Sequence, residues 1–169
     1  MNRPDNIVAS DDLQWTRIEH GSSYEARRKS LSQATRAREL GCSLYEVPPG
    51  KCAWPRHAHL GNEEAVFVLS GRGVVRQGEA DSEITAGDYL TFRRGKEHVH
   101  QIVNTGTEPL RYLCMSTMNE PDISWYPDSR KFGLFAGAAP GGDKASRSVN
   151  TFLPEDASVD YWEGESPRS

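Results

Sequence analysis

Two histidines one residue apart, His57-Ala58-His59, constrain the fold of this chain more than any other feature. Residues two apart on a β-strand project to the same face. An extended segment therefore brings both imidazoles to one point without a helix. Glu64 follows after four residues, past a turn at Leu60-Gly61-Asn62, and enters from the next strand; His100 comes later. Three imidazoles and one carboxylate can surround a divalent transition metal and leave coordination positions open. An HxH pair alone is common, and most single histidines are surface or satisfied core residues. Glu64 and His100 give this pair its weight.

The rest of the sequence agrees with a β architecture. Cys42 to Val47 alternates, Ala65 to Leu69 is a buried run, and Gly73 to Arg76 is expected to pair with it across Ser70-Gly71-Arg72. Asp88 to Phe92, His98 to Val103 and Arg111 to Ser116 follow at similar spacing. Short strands punctuated by glycine indicate an all-β sandwich or barrel. Three segments result: an N-terminal extension over 1–38, a barrel core over 39–118 and a C-terminal extension over 119–169. Both extensions read as irregular, the first because it is polar, the second because prolines interrupt it. Trp125, Tyr126, Phe132, Phe135, Phe152, Tyr161 and Trp162 are too apolar to leave in water. They are expected to anchor the tail against the barrel or a partner subunit, and with the sheet edge that a small barrel must cover they predict a homodimer.

Length and charge narrow the function classes. At 169 residues this is one domain, long enough to bury a core. A net charge of -4 with interspersed signs argues against a nucleic-acid surface, and the basic stretch Arg27 to Arg38 is diluted by serines and lacks an aromatic ladder. No apolar run reaches roughly eighteen residues, and the N-terminus is polar, so neither membrane insertion nor a signal peptide is expected. Cys42, Cys52 and Cys114 are odd in number and lack CxxC spacing. They read as reduced thiols of a cytoplasmic protein, not as a disulfide framework or zinc ligands.

Two longer motifs carry a family resemblance. Gly50 to His59, then Glu64 and, six residues later, Gly71 resemble the first conserved motif of the cupin superfamily. Gly87-Asp88-Tyr89-Leu90-Thr91-Phe92-Arg93-Arg94-Gly95, continuing through His100 to Asn104, resembles the second. The resemblance covers roughly residues 42 to 118 and implies a double-stranded β-helix, a jelly-roll barrel. It also implies a metal held by His57, His59, Glu64 and His100. The chain departs from the pattern in three places. Six residues rather than five separate Gly50 from His57, and Arg93 stands where the family has proline. Four residues rather than two separate Gly95 from His100, so His98 keeps the family distance from Gly95 while His100 keeps it to Asn104. His100 is favoured on the match through Asn104. Strand parity would then turn His98 to the same interior. Glu64 is favoured over Glu63 because the step to Gly71 starts from it.

The donor set suits iron, manganese, nickel or zinc, and its open positions suit water, dioxygen or a bidentate substrate. Structural zinc sites are closed and cysteine-rich, unlike this one. Beside the ligands, His98 is a candidate acid or base, since an unperturbed imidazole titrates near 6.5. Arg93 or Arg94, one of which a strand presents inward, is a candidate clamp for an anionic small molecule. Three classes compete: a metal-dependent enzyme, a non-catalytic small-molecule-binding cupin, and a storage protein. Within the first, the resemblance to short sugar-phosphate isomerase-like cupins suggests aldose-ketose isomerisation, with a dioxygenase or lyase as the alternative. No DNA-binding helix pair of suitable length precedes the barrel.

Overall fold

A computed structural model describes residues 3–166, so the outermost ends of the two extensions lie outside the described residues. Among the described residues, thirteen strands, one short α-helix and three 3-10 turns make up the regular structure. The strands and the α-helix are β1 (Thr16–His20), β2 (Tyr24–Ser30), α1 (Leu31–Ala34), β3 (Leu40–Val47), β4 (Ala58–His59), β5 (Glu64–Ser70) and β6 (Arg72–Gln77). After these come β7 (Ala80–Thr85), β8 (Tyr89–Phe92), β9 (His100–Val103), β10 (Leu110–Thr117), β11 (Asp122–Tyr126), β12 (Lys131–Ala136) and β13 (Val149–Pro154).

One sheet runs β1-β2-β3-β10-β5-β8. The others run β7-β6-β9 and β13-β12-β11-β4, and all pairings between named strands are antiparallel. A single bridge between His57 and His100 joins the two smaller sheets. That bridge puts the metal-motif histidines at the seam of the second wall. Between the walls lies a core that includes Val47, Val66, Val68, Val75, Ile84, Phe92, Leu110 and Tyr112. The period-2 pattern explains it: on β5, Val66 and Val68 point inward while Phe67 and Leu69 face out. Each such side chain, fully buried, contributes about 1.5–3 kcal/mol.

The sequence misplaces one connection. β5 and β6 do not form a hairpin: β5 pairs with β10 and β8, whereas β6 pairs with β7 and β9. Gly71, at φ 86°, turns the chain from one sheet into the other. A Cβ there would meet the Pro109 carbonyl at 2.7 Å, so the position needs glycine for its backbone and its space. Asn104, fully buried, closes the opposing turn. Its amide donates to the Val47 and Glu108 carbonyls at 2.8 Å each and accepts from the Gly106 N–H at 2.9 Å.

The flanks are also more regular than their sequences suggest. β1 and β2 extend the first sheet, and β11 to β13 supply most of the four-stranded one. Prolines punctuate the tail without breaking it, because Pro121 and Pro127 bracket β11 and Pro154 ends β13. Phe135 is buried, but Tyr161 and Trp162 are exposed and do not anchor the tail to this barrel. Among the described residues no helix is long and apolar enough to cross a membrane.

Candidate metal centre

His57 precedes β4, His59 ends it, Glu64 opens β5 and His100 opens β9. One donor atom from each of His57, His59 and Glu64 lies within 4.8 Å of the others. Glu64 Oε1 is 3.7 Å from His59 Nε2. His100 is not part of that trio but meets it through Glu64, its Nε2 lying 3.2 Å from Oε2. Its ring stacks on Phe92 with centroids 3.7 Å apart.

The outward nitrogens reveal how the imidazoles are aimed. His57 Nδ1 is 2.8 Å from the Pro55 carbonyl, and His100 Nδ1 is 3.1 Å from the His98 carbonyl. A carbonyl only accepts, so each Nδ1 carries a proton; His57 Nε2 keeps its lone pair, whereas His100 Nε2, which donates to the Glu64 carboxylate, offers one once a metal displaces that proton. His59 Nδ1 donates to Asp122 Oδ2 at 2.6 Å. The other Asp122 oxygen accepts from the Gly61 N–H at 2.8 Å. All three rings therefore offer Nε2 as a donor, each fixed by an acceptor behind it, as metal-ligating histidines are. This donor chemistry fits a divalent transition metal.

Charge states point the same way. Burial, with the neighbouring His100 and His59, lowers His57 to about 3, which keeps it neutral. Burial would raise Glu64, but His59, His100 and His57 hold it down to about 2, so it is ionised. Desolvation would lower His59, yet Glu64 and Asp122 win and raise it. An ionised carboxylate beside imidazoles that can shed their protons is the state metal binding requires.

A cavity of about 450 Å³ opens at the centre, lined by His57, His59, Glu64 and His100. Aromatic walls come from Tyr45, Phe92, Tyr112 and Tyr126, the last stacked on His57 at 5.8 Å. His98 is not among the lining residues. It ends a 3-10 turn over Lys96–His98, where strand parity does not apply, with Nε2 3.7 Å from Glu97. Arg93 and Arg94 are both exposed and do not line the cavity, because β8 ends at Phe92 before reaching them. The arginines that do line it are Arg28 and Arg147. Sequence reasoning also passed over Asp122, whose alternating strand Asp122-Ile123-Ser124-Trp125 was hidden by the surrounding prolines.

Residues 43–116 match the family model described as a cupin domain, and the chain carries that domain and its fold. It is similar to an oxalate-binding protein of Thermotoga maritima, 34% identical over 70 residues, 41% of this chain and 55% of that one. An uncharacterised protein of Methanocaldococcus jannaschii is 30% identical over 97 residues, 57% of this chain and 66% of that one. The chain thus spans about half to two thirds of the curated relatives it matches. A solved structure from Acidithiobacillus ferrooxidans, provisionally named a sugar phosphate isomerase, superposes with a TM-score of 0.76 at 25% identity, covering 92% of this chain and 96% of that one.

Proposed function

We propose that this chain is a metal-dependent enzyme acting on a small polar molecule, in the manner of an aldose-ketose isomerase. His57, His59 and Glu64 hold the metal, with His100 as fourth ligand. The observation that carries the reading is the common aim of three Nε2 atoms, each fixed by a hydrogen bond behind the ring. When bound, such a metal polarises a carbonyl or hydroxyl oxygen of the substrate. The chain's own residues do the rest. Tyr126, whose phenol burial holds above its usual range, stays protonated and can donate a hydrogen bond to a bound oxygen. Tyr112 and Phe92 wall the centre against water. The similarity to the Acidithiobacillus ferrooxidans structure over nearly the whole chain supports this class.

A second reading, ligand binding without turnover, is favoured by one observation. Outside the ligand group, the cavity's titratable side chains are tyrosines and cysteines, together with Arg28, Lys144 and Arg147. Burial raises Tyr45, Tyr112, Tyr126, Cys42 and Cys114, so none is poised as a base near neutral pH. The oxalate-binding relative agrees with this alternative. Deuterium exchange from solvent into aldose and ketose phosphates, followed by NMR on metal-loaded protein, decides between them. Exchange that disappears in His57→Ala supports the isomerase; tight binding without exchange supports the binding module.

A further inference from the structure

The charge lining the cavity runs against that of the chain. The chain is net -4, yet its cavity is lined by Arg28, Lys144 and Arg147 against a single carboxylate, Glu64. Arg28 comes from β2 and Arg147 from the segment between β12 and β13. Both lie outside the 43–116 cupin match, so the flanks of the barrel supply them to the cavity wall.

Arg147 is built into its place. Its Nε donates to the Ala138 carbonyl at 3.1 Å, one terminal nitrogen to the Ala139 carbonyl at 3.0 Å, and the other to Asn150 Oδ1 at 2.8 Å. Its guanidinium lies 4.8 Å over the Phe135 ring. Every one of these partners is neutral. A guanidinium has five N–H donors, so one remains on each terminal nitrogen. Among the described residues neither Arg147 nor Arg28 has a carboxylate oxygen within 4.0 Å, whereas Arg17, Arg27 and Arg56 do. A half-buried cation held in one orientation without a counter-charge is costly unless a ligand supplies the charge.

We infer that Arg147, assisted by Arg28, binds the phosphate of a small phosphate ester whose remaining oxygens face His57, His59 and Glu64. A planar guanidinium with one free N–H on each terminal nitrogen matches two oxygens of a tetrahedral oxyanion. Three cations against one carboxylate favour a dianion over a monoanion. The orientation of the ligand rests on the metal reading above; the binding of the phosphate does not.

Calorimetric titration of methyl phosphate, acetate and methanol into the full chain, and of ribose 5-phosphate against ribose, tests this. Methyl phosphate is expected to bind better than acetate. Arg147→Gln is expected to weaken both phosphate probes by roughly tenfold to a hundredfold, the loss of a charge-assisted bond. Arg147→Lys should be intermediate, and Arg93→Gln should match wild type. Should Arg147→Gln unfold because the 138–139 turn loses its tether, Arg28→Gln carries the test, with a several-fold loss expected. Wild-type affinity in both Arg147→Gln and Arg28→Gln overturns the inference. So does a preference for acetate, or no binding of methyl phosphate at millimolar concentration. Elemental analysis of the same samples separates the two claims. Arg147-dependent phosphate binding in chelator-treated protein supports the clamp even if no metal is ever held. Full metal content with unaltered phosphate affinity in both variants removes the clamp and leaves the metal centre standing.

Discussion

Asp122→Asn changes one atom of the side chain and should cripple the metal centre. Asp122 is fully buried on β11 and holds two donors, the Gly61 N–H at 2.8 Å and His59 Nδ1 at 2.6 Å. An asparagine has one oxygen to share between them. The Gly61 N–H is backbone and cannot change, so the amide oxygen turns to it and the NH₂ faces His59. Two donors then oppose each other. His59 relieves the conflict by moving its proton to Nε2, which removes the lone pair aimed at the centre. Loss of such an orienting partner lowers metal affinity by about 10- to 100-fold, or roughly 1.4–2.7 kcal/mol. The assay is competition for zinc or manganese against a coloured chelator, with wild type and Asp122→Ala alongside. Asp122→Ala should fold less stably, because it leaves the Gly61 N–H unpaired, whereas Asp122→Asn should keep most of the wild-type Tm. Unaltered metal affinity in a folded Asp122→Asn protein would refute the orienting role.

Other outcomes follow from single positions. Gly71→Ala should destabilise the protein by about 2–4 kcal/mol, combining a left-handed φ with overlap on the Pro109 carbonyl, and a thermal melt measures it. Burial raises the Cys52 thiol, with Arg76 and Lys51 opposing only in part, and its S–H lies 3.4 Å from the Ser23 carbonyl. Less thiolate at pH 8 means that iodoacetamide should modify native Cys52 far more slowly than a free peptide thiol, and faster as pH rises; mass spectrometry reads this. We also propose a homodimer: β13 is exposed along its whole length and presents Val149, Phe152 and Leu153 at a sheet edge. Light scattering at micromolar concentration should give twice the chain mass, and a monomer would exclude it.

Sequence reasoning reaches those parts of this molecule where local periodicity decides the geometry. His57 and His59 are legible because strand parity alone puts them on one face, and Glu64 because a short turn follows. Ala65 to Leu69 reads as one buried run because its outward residues are apolar too, yet on β5 only Val66 and Val68 are buried while Phe67 and Leu69 face out. What escapes is set by contacts between distant segments. Nothing local tells that Gly71 passes the chain between sheets and does not close a hairpin, since both need a positive φ. Asp122 is one acidic residue among many until β11 pairs with β4 and brings it behind His59. Arg93 and Arg94 look like cavity cations by their place in the motif, but β8 stops short of them. Arg28 and Arg147 reach the cavity only because β2 joins β3 and the chain ahead of β13 folds back over Ala138 and Ala139. The 3-10 turn at Lys96–His98 likewise decides against His98 as a cavity residue, since it absorbs the two extra residues before β9.

The central claim is that His57, His59 and Glu64, with His100, hold a transition metal. Elemental analysis of the purified chain, with His57→Ala, His59→Ala, Glu64→Gln, His98→Ala and His100→Ala measured in parallel, tests it most directly. The account predicts close to one metal per wild-type chain, sharply reduced content in the four ligand variants, and wild-type content in His98→Ala. Undiminished metal in His57→Ala and His59→Ala, or loss in His98→Ala with retention in His100→Ala, would contradict it.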